Sequence, residues 1–161
     1  MKRISLLLLC VMLMMSCLNV HATEETVEGK YRIEVDRTAN ITYVYEKTND
    51  DWKCIREMAC STGRPGRETP TGTYEIWSHI NKGGWYAMRN GTYGLYNIGI
   101  SIGRGYTFTS VCYASTKDYQ PIGQQMDDLG KSVSNGSIRL SLVDARWMYK
   151  NISDGTEVKI Y

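Results

Sequence analysis

Period-two alternation constrains this chain more than any other feature. Tyr31, Ile33 and Val35 alternate with Arg32, Glu34 and Asp36, the side-chain period of a strand with one buried and one solvated face. Thr38-Ala39-Asn40 predicts a turn into a second strand over 41–47. Thr48-Asn49-Asp50 predicts another into a third strand over 52–61, completing a meander. Residues 63–72 read as a loop, because Pro65 and Pro70 cannot donate hydrogen bonds and the glycines tolerate positive φ; a strand over 73–77 follows. Alternation returns over 106–113, and after a polar stretch Ser134-Asn135-Gly136 turns the chain into a strand over 137–140; residues 157–161 make a closing strand. Between residues 78 and 105, glycine is mixed with tyrosine and tryptophan without a helical period, which predicts short strands and exposed loops. The aromatic residues there either line a peptide or glycan groove or pair across strands, the commoner use.

A helical period occurs once after the N-terminal segment. Ser141 is positioned to cap a helix over about 141–152, Asp144 stands three residues later, and Leu142, Ala145, Trp147, Met148 and Ile152 supply its apolar stripe. The fold class expected is mainly β, a sandwich or closed barrel with one helix late in the chain.

The N-terminus carries Lys2 and Arg3 before an apolar run over 4–15, shorter than the roughly 20 residues that span a bilayer. Val20-His21-Ala22 then supplies small or apolar residues where a signal peptidase needs them, so residues 1–22 are expected to be a signal peptide. The competing reading is a lipoprotein signal with Cys17 as the acylated residue, the one route to membrane attachment. Cleavage after Ala22 leaves 139 of the 161 residues, enough for one domain: a short linker over 23–29 and the domain over 30–161. It also removes two basic residues and no acidic ones, so the formal charge falls from +2 to 0. No cluster of lysine and arginine in the sequence suggests nucleic-acid binding.

Cys54, Cys60 and Cys112 remain after the signal segment, without the spacing of a metal site; no metal and no cofactor are expected. Cys54 and Cys60 lie about 20 Å apart along an extended strand and cannot bridge to one another there. A bridge from Cys112 to either, and three small buried thiols, both remain open. The Asn-x-Ser/Thr matches at Asn40, Asn90, Asn135 and Asn151 read as polar turns.

Two segments carry a family resemblance. The first is Gly63-Arg64-Pro65-Gly66-Arg67-Glu68-Thr69-Pro70-Thr71-Gly72-Thr73-Tyr74. The second is Leu129-Gly130-Lys131-Ser132-Val133-Ser134-Asn135-Gly136-Ser137-Ile138-Arg139-Leu140-Ser141, followed by Asp144-Ala145-Arg146-Trp147 and Asp154-Gly155-Thr156-Glu157-Val158. In order and spacing they resemble the L,D-transpeptidase (YkuD-type) catalytic domain, whose signature is Ser-His-Gly-Cys-Ile/Val-Arg-Leu. The resemblance implies an extracytoplasmic protein of the bacterial cell wall and an acyl transfer that joins peptidoglycan stem peptides through a cysteine thioester. It places Ser137 at the nucleophile position, Asn135 at the signature histidine, and Thr109, in Phe108-Thr109-Ser110, at the upstream base. Ser134, Gly136 and Arg139 are retained and implied to bind substrate, Arg139 either through a substrate carboxylate or by holding loop carbonyls. Ser132 stands where many members carry proline.

These replacements change the chemistry. A cysteine of pKa about 8.5 holds some thiolate near neutrality. A serine needs a positioned base, whose loss from a serine enzyme costs about 10⁴ or more in rate. Neither threonine nor asparagine takes up a proton near pH 7. The expectation is therefore a family member without turnover that binds stem peptide or a wall protein. One alternative is an acyl-transferase with Ser137 as nucleophile and His79 or Lys131 as base, although a strand-end histidine and a solvated lysine are the commoner uses of such residues. Another is a surface adhesion module unrelated to peptidoglycan.

Overall fold

The computed structural model describes residues 29–161 apart from 50, 89, 118, 120, 123–125 and 127. The expected signal peptide, its cleavage site, Cys17 and all of the linker except Gly29 lie outside the described residues.

The meander forms where the alternation places it, as β1 (Tyr31–Asp36), β2 (Ile41–Thr48) and β3 (Asp51–Gly63). Asp36 Oδ1 accepts the Thr38 and Ala39 N–H groups at 2.7 and 2.8 Å, and Asn40 takes φ 55°, which turns β1 into β2. The chain continues through β4 (Gly72–His79), the short pair β5 (Tyr86–Ala87) and β6 (Tyr93–Gly94), β7 (Ile98–Ile100), β8 (Thr107–Ser110), β9 (Ser132–Ser134) and β10 (Ile138–Leu140). Helix α1 (Leu142–Asn151) and β11 (Glu157–Ile160) follow. The main ladder runs β10-β8-β7-β4-β11-β1-β2-β3, and β10 also pairs with β3, so these strands close into a barrel. β9 attaches to the far end of β3 in parallel.

Ile33, Val35, Val44, Met58, Ile76, Val158 and Ile160 fill the interior, and Phe108, Ile138 and Leu140 join the same core beneath α1 through Ala145, Met148 and Ile152. The helix starts as expected: Ser141 Oγ accepts the Asp144 N–H at 3.1 Å, and its hydroxyl donates to Asp144 Oδ2 at 2.6 Å.

Several expectations need correction. Residues 107–110 are all buried rather than half-buried, because β8 lies between β7 and β10, with α1 packed against it. The strand expected from residue 137 begins at Ile138, leaving Ser137 in the loop, and the polar stretch before it contains β9. Cys54, Cys60 and Cys112 carry no disulfide, so the Cys112 bridge does not form; nor are all three buried, because Cys54 is exposed. Val44 pairs with Arg56 and Tyr45 with Cys54, so Ile55 is an extra residue on β3. That bulge reverses the inward parity set by Met58 and Cys60 and turns Cys54 outward. Asn40 is more than a polar turn: its buried Oδ1 accepts from Thr62 N at 3.2 Å and Thr62 Oγ1 at 2.6 Å.

The aromatic residues of the middle segment divide between ring packing and the lining of a cleft. Trp85 packs edge-on against Tyr113 with ring centroids 5.2 Å apart. Tyr86, and Tyr106 just beyond the segment, instead line a cleft.

Candidate functional site

The two motif segments interlock at one end of the barrel. Thr69 is fully buried; its hydroxyl accepts the Gly63 N–H at 3.0 Å and donates to the Gly136 carbonyl at 2.8 Å, tying the first segment to the second. The Arg64 N–H donates to the Ser134 carbonyl at 3.0 Å. Ser134 is buried as well, and its hydroxyl accepts the Gly136 N–H at 3.0 Å and donates to the Ser137 carbonyl at 2.6 Å. Gly136 has φ 113°, and a Cβ there would sit 3.0 Å from the Tyr106 ring, so both backbone conformation and space call for glycine. Ser134 and Gly136 thus shape the loop that presents Ser137.

Register decides what lies beside Ser137. β8 and β10 are parallel, with Ile138 opposite Phe108 and Arg139 opposite Thr109. Strand parity therefore places Ser137, Arg139, Thr107 and Thr109 on one face, while Phe108, Ile138 and Leu140 point the other way into the core. The first face floors a cleft of about 590 Å³ in which Ser137, Asn135, Thr107 and Arg139 meet Arg64, Arg67 and Arg104 from the surrounding loops. A smaller cavity of about 220 Å³ shares Tyr86, Arg104, Gly105, Tyr106 and Thr107 with it and continues to Trp77.

Of the three positions expected to carry chemistry, Ser137 and Asn135 line the cleft and Thr109 does not. Ser137 Oγ, partly exposed in the cleft, donates to the Gly105 carbonyl at 3.0 Å. Asn135 is exposed on the wall. Thr109 is fully buried; its Oγ1 has no hydrogen-bond partner among the described residues, and a Cβ on Gly94 would approach it to 2.5 Å. Arg139 is 8% exposed, so of the four cleft arginines it is the one embedded in the floor.

The two alternative bases lie elsewhere. His79 ends β4, with Nδ1 2.7 Å from Asp154 Oδ1 and its ring 4.8 Å from the Tyr149 ring centroid. Lys131 is exposed, and its main chain pairs with Asp128 and Thr62. Neither lines the cleft. Among the described lining residues the ionisable side chains are four arginines and two tyrosines, none of which removes a proton from serine near neutral pH.

Sequence reasoning missed Asn97 and the rim arginines. Asn97 is fully buried, lines the cleft, and has no hydrogen-bond partner for either side-chain Nδ2 or Oδ1 among the described residues. Nothing local distinguishes it from a turn asparagine. Arg64 and Arg67 stand inside the first motif and Arg104 between two glycines, but only the closed barrel brings them to one opening. Among the described residues no cluster of histidine, cysteine and carboxylate side chains suited to a metal is present.

A barrel closed in this way, with a cleft between two motif loops over a parallel strand pair, is the L,D-transpeptidase fold. An L,D-transpeptidase from Mycobacterium tuberculosis H37Rv superimposes with a TM-score of 0.61 at 22% identity, over 82% of this chain and 57% of that one. LdtMt1, solved in complex with imipenem, gives 0.62 at 18% identity, over 82% of this chain and 59% of that one. Residues 30–160 match the family model of the L,D-transpeptidase catalytic domain (YkuD), and the chain belongs to that family. The Bacillus subtilis (strain 168) protein named "Putative L,D-transpeptidase YciB" is 30% identical over 132 residues, 80% of this chain. The chain spans 64% of the length of that curated relative.

Proposed function

We propose that this chain is an exported cell-wall member of the family that binds peptidoglycan stem peptide without forming an acyl-enzyme. One observation carries the reading: among the described residues, the cleft holding Ser137 contains no side chain able to act as its general base. The hydroxyl is instead spent on the Gly105 carbonyl, and the aligned Thr109 and Asn135 are both non-basic. The intact frame supports retained binding, since Thr69 and Ser134 hold the loops that bound the cleft. A stem peptide is the occupant the family relationship favours; a wall protein would have to present an equally narrow segment.

The test is co-sedimentation with purified sacculi, followed by chromatography of the muropeptides. The protein is expected to pellet with the wall and leave its muropeptide profile unchanged. New cross-links or trimmed stems that vanish in Ser137→Ala would overturn the reading. A failure to pellet would favour a surface module unrelated to peptidoglycan.

A further inference from the structure

The charge of the cleft is one-sided. Arg64, Arg67, Arg104 and Arg139 line it, and no aspartate or glutamate does so among the described residues. Arg64, Arg67 and Arg104 are exposed, and their guanidinium groups make no hydrogen bond or ion pair among the described residues. Glu68, in the same loop as Arg64 and Arg67, is engaged elsewhere: its Oε1 accepts the Gly66 N–H at 2.8 Å, and that bond holds its carboxyl below the usual range. Arginines gathered at one opening repel each other unless an anion joins them, and the whole chain carries only +2, so the concentration is local. A second observation points the same way. Asn97 lies fully buried on the cleft wall with its amide unpartnered among the described residues, a group that one donor and one acceptor, the pattern of a peptide bond, would satisfy.

We propose that the cleft selects its ligand by free carboxylates: a peptide carrying at least two of them, bound by the guanidinium groups of Arg64, Arg67 and Arg104 at the rim and Arg139 in the floor, with a peptide group paired to Asn97. The proposal rests on the stem-peptide reading for the source of that peptide and adds the chemical feature by which ligands are told apart. Guanidinium forks match carboxylates through paired N–H···O bonds and gain little from a neutral carboxamide. Amidation of the ligand's carboxyl groups is then the modification that excludes it.

Calorimetric titration of the purified protein tests this with a stem tetrapeptide whose carboxylates are free, the same peptide with every carboxyl amidated, tricarballylate and inorganic phosphate. The free peptide is expected to bind at least about tenfold more tightly than the amidated one, and its affinity to fall as salt rises. Equal affinity for the two peptides overturns the proposal and leaves the stem-peptide reading standing. If neither peptide binds while tricarballylate does, carboxylate selection stands and the stem-peptide reading fails; no binding by any carboxylate overturns both. Inorganic phosphate binding as tightly as the tricarboxylate overturns the assignment of carboxylate chemistry. The double variant Arg67→Gln/Arg104→Gln removes two exposed groups and is expected to melt as the parent does while losing the preference for the free peptide. Should it fold poorly, the salt dependence of the parent decides, since a salt-independent affinity contradicts the proposal.

Discussion

Replacing Thr69 with valine removes one oxygen and keeps the side chain's shape. The hydroxyl it deletes joins two loops, accepting the Gly63 N–H at 3.0 Å and donating to the Gly136 carbonyl at 2.8 Å, in a side chain with no solvent exposure. Gly63 and Gly136 are themselves buried, so water cannot readily replace the lost partner. An unpaired buried donor or acceptor costs about 1–3 kcal/mol, so two together predict a loss of about 2–6 kcal/mol. For a domain of this size, about 1 kcal/mol moves Tm by about 3–4 °C, giving a fall of about 6–24 °C. Thr69→Ser keeps the oxygen and is expected to retain most of the stability. Urea unfolding followed by circular dichroism measures both. A Thr69→Val loss under about 0.5 kcal/mol, or equal losses in the two variants, would refute the idea that this hydroxyl locks the two motif loops together.

Other consequences follow from the same geometry. In Gly63→Ala the new Cβ would lie 2.1 Å from the Arg67 carbonyl oxygen and 2.5 Å from the Thr69 nitrogen, both backbone atoms. The expected cost is about 3 kcal/mol or more, read as a lost or sharply lowered melting transition; a soluble variant with parental Tm contradicts the packing. Alkylation of the native protein with iodoacetamide, mapped by peptide mass, should label Cys54 quickly and leave Cys60 and Cys112 until denaturant is added, because among the cysteines in the described residues only Cys54 is exposed. Burial pushes the Cys60 thiol from 9.0 to about 11. The stability linked to keeping it protonated is fully present below about pH 9 and is lost as pH rises towards 11, up to about 2–3 kcal/mol. Cys60→Ala should therefore show a shallower alkaline decline than the parent; identical slopes would contradict the assignment.

Much of the fold can be read from the sequence where local chemistry governs it. Ser141 and Asp144 announce the helix start by their spacing, and the alternation from Tyr31 to Val35 identifies an inward face because β1 pairs regularly on both sides. The orientation of Cys54 is illegible because the bulge at Ile55 carries no residue signature, yet it shifts the face of every residue before it on β3. Burial of both faces of β8 depends on neighbours far along the chain: α1 packs on the face of Phe108, and Gly94 approaches Thr109 on the other. At the site, the motif positions Ser137, Asn135 and Arg139 share one segment and are visible together. The arginine rim is not, because Arg64, Arg67, Arg104 and Arg139 come from three separate stretches that only barrel closure between β10 and β3 brings round one opening. Asn97 shows its significance only through the partners it lacks.

Whether Ser137 can be acylated tests the central claim most directly. The protein is incubated with imipenem, and separately with a tetrapeptide donor, and its intact mass is recorded over hours. The mass is expected to stay that of the unmodified chain, because no base among the described residues lines the cleft beside Ser137. A stable adduct mapped to Ser137, absent from Ser137→Ala, would contradict the account.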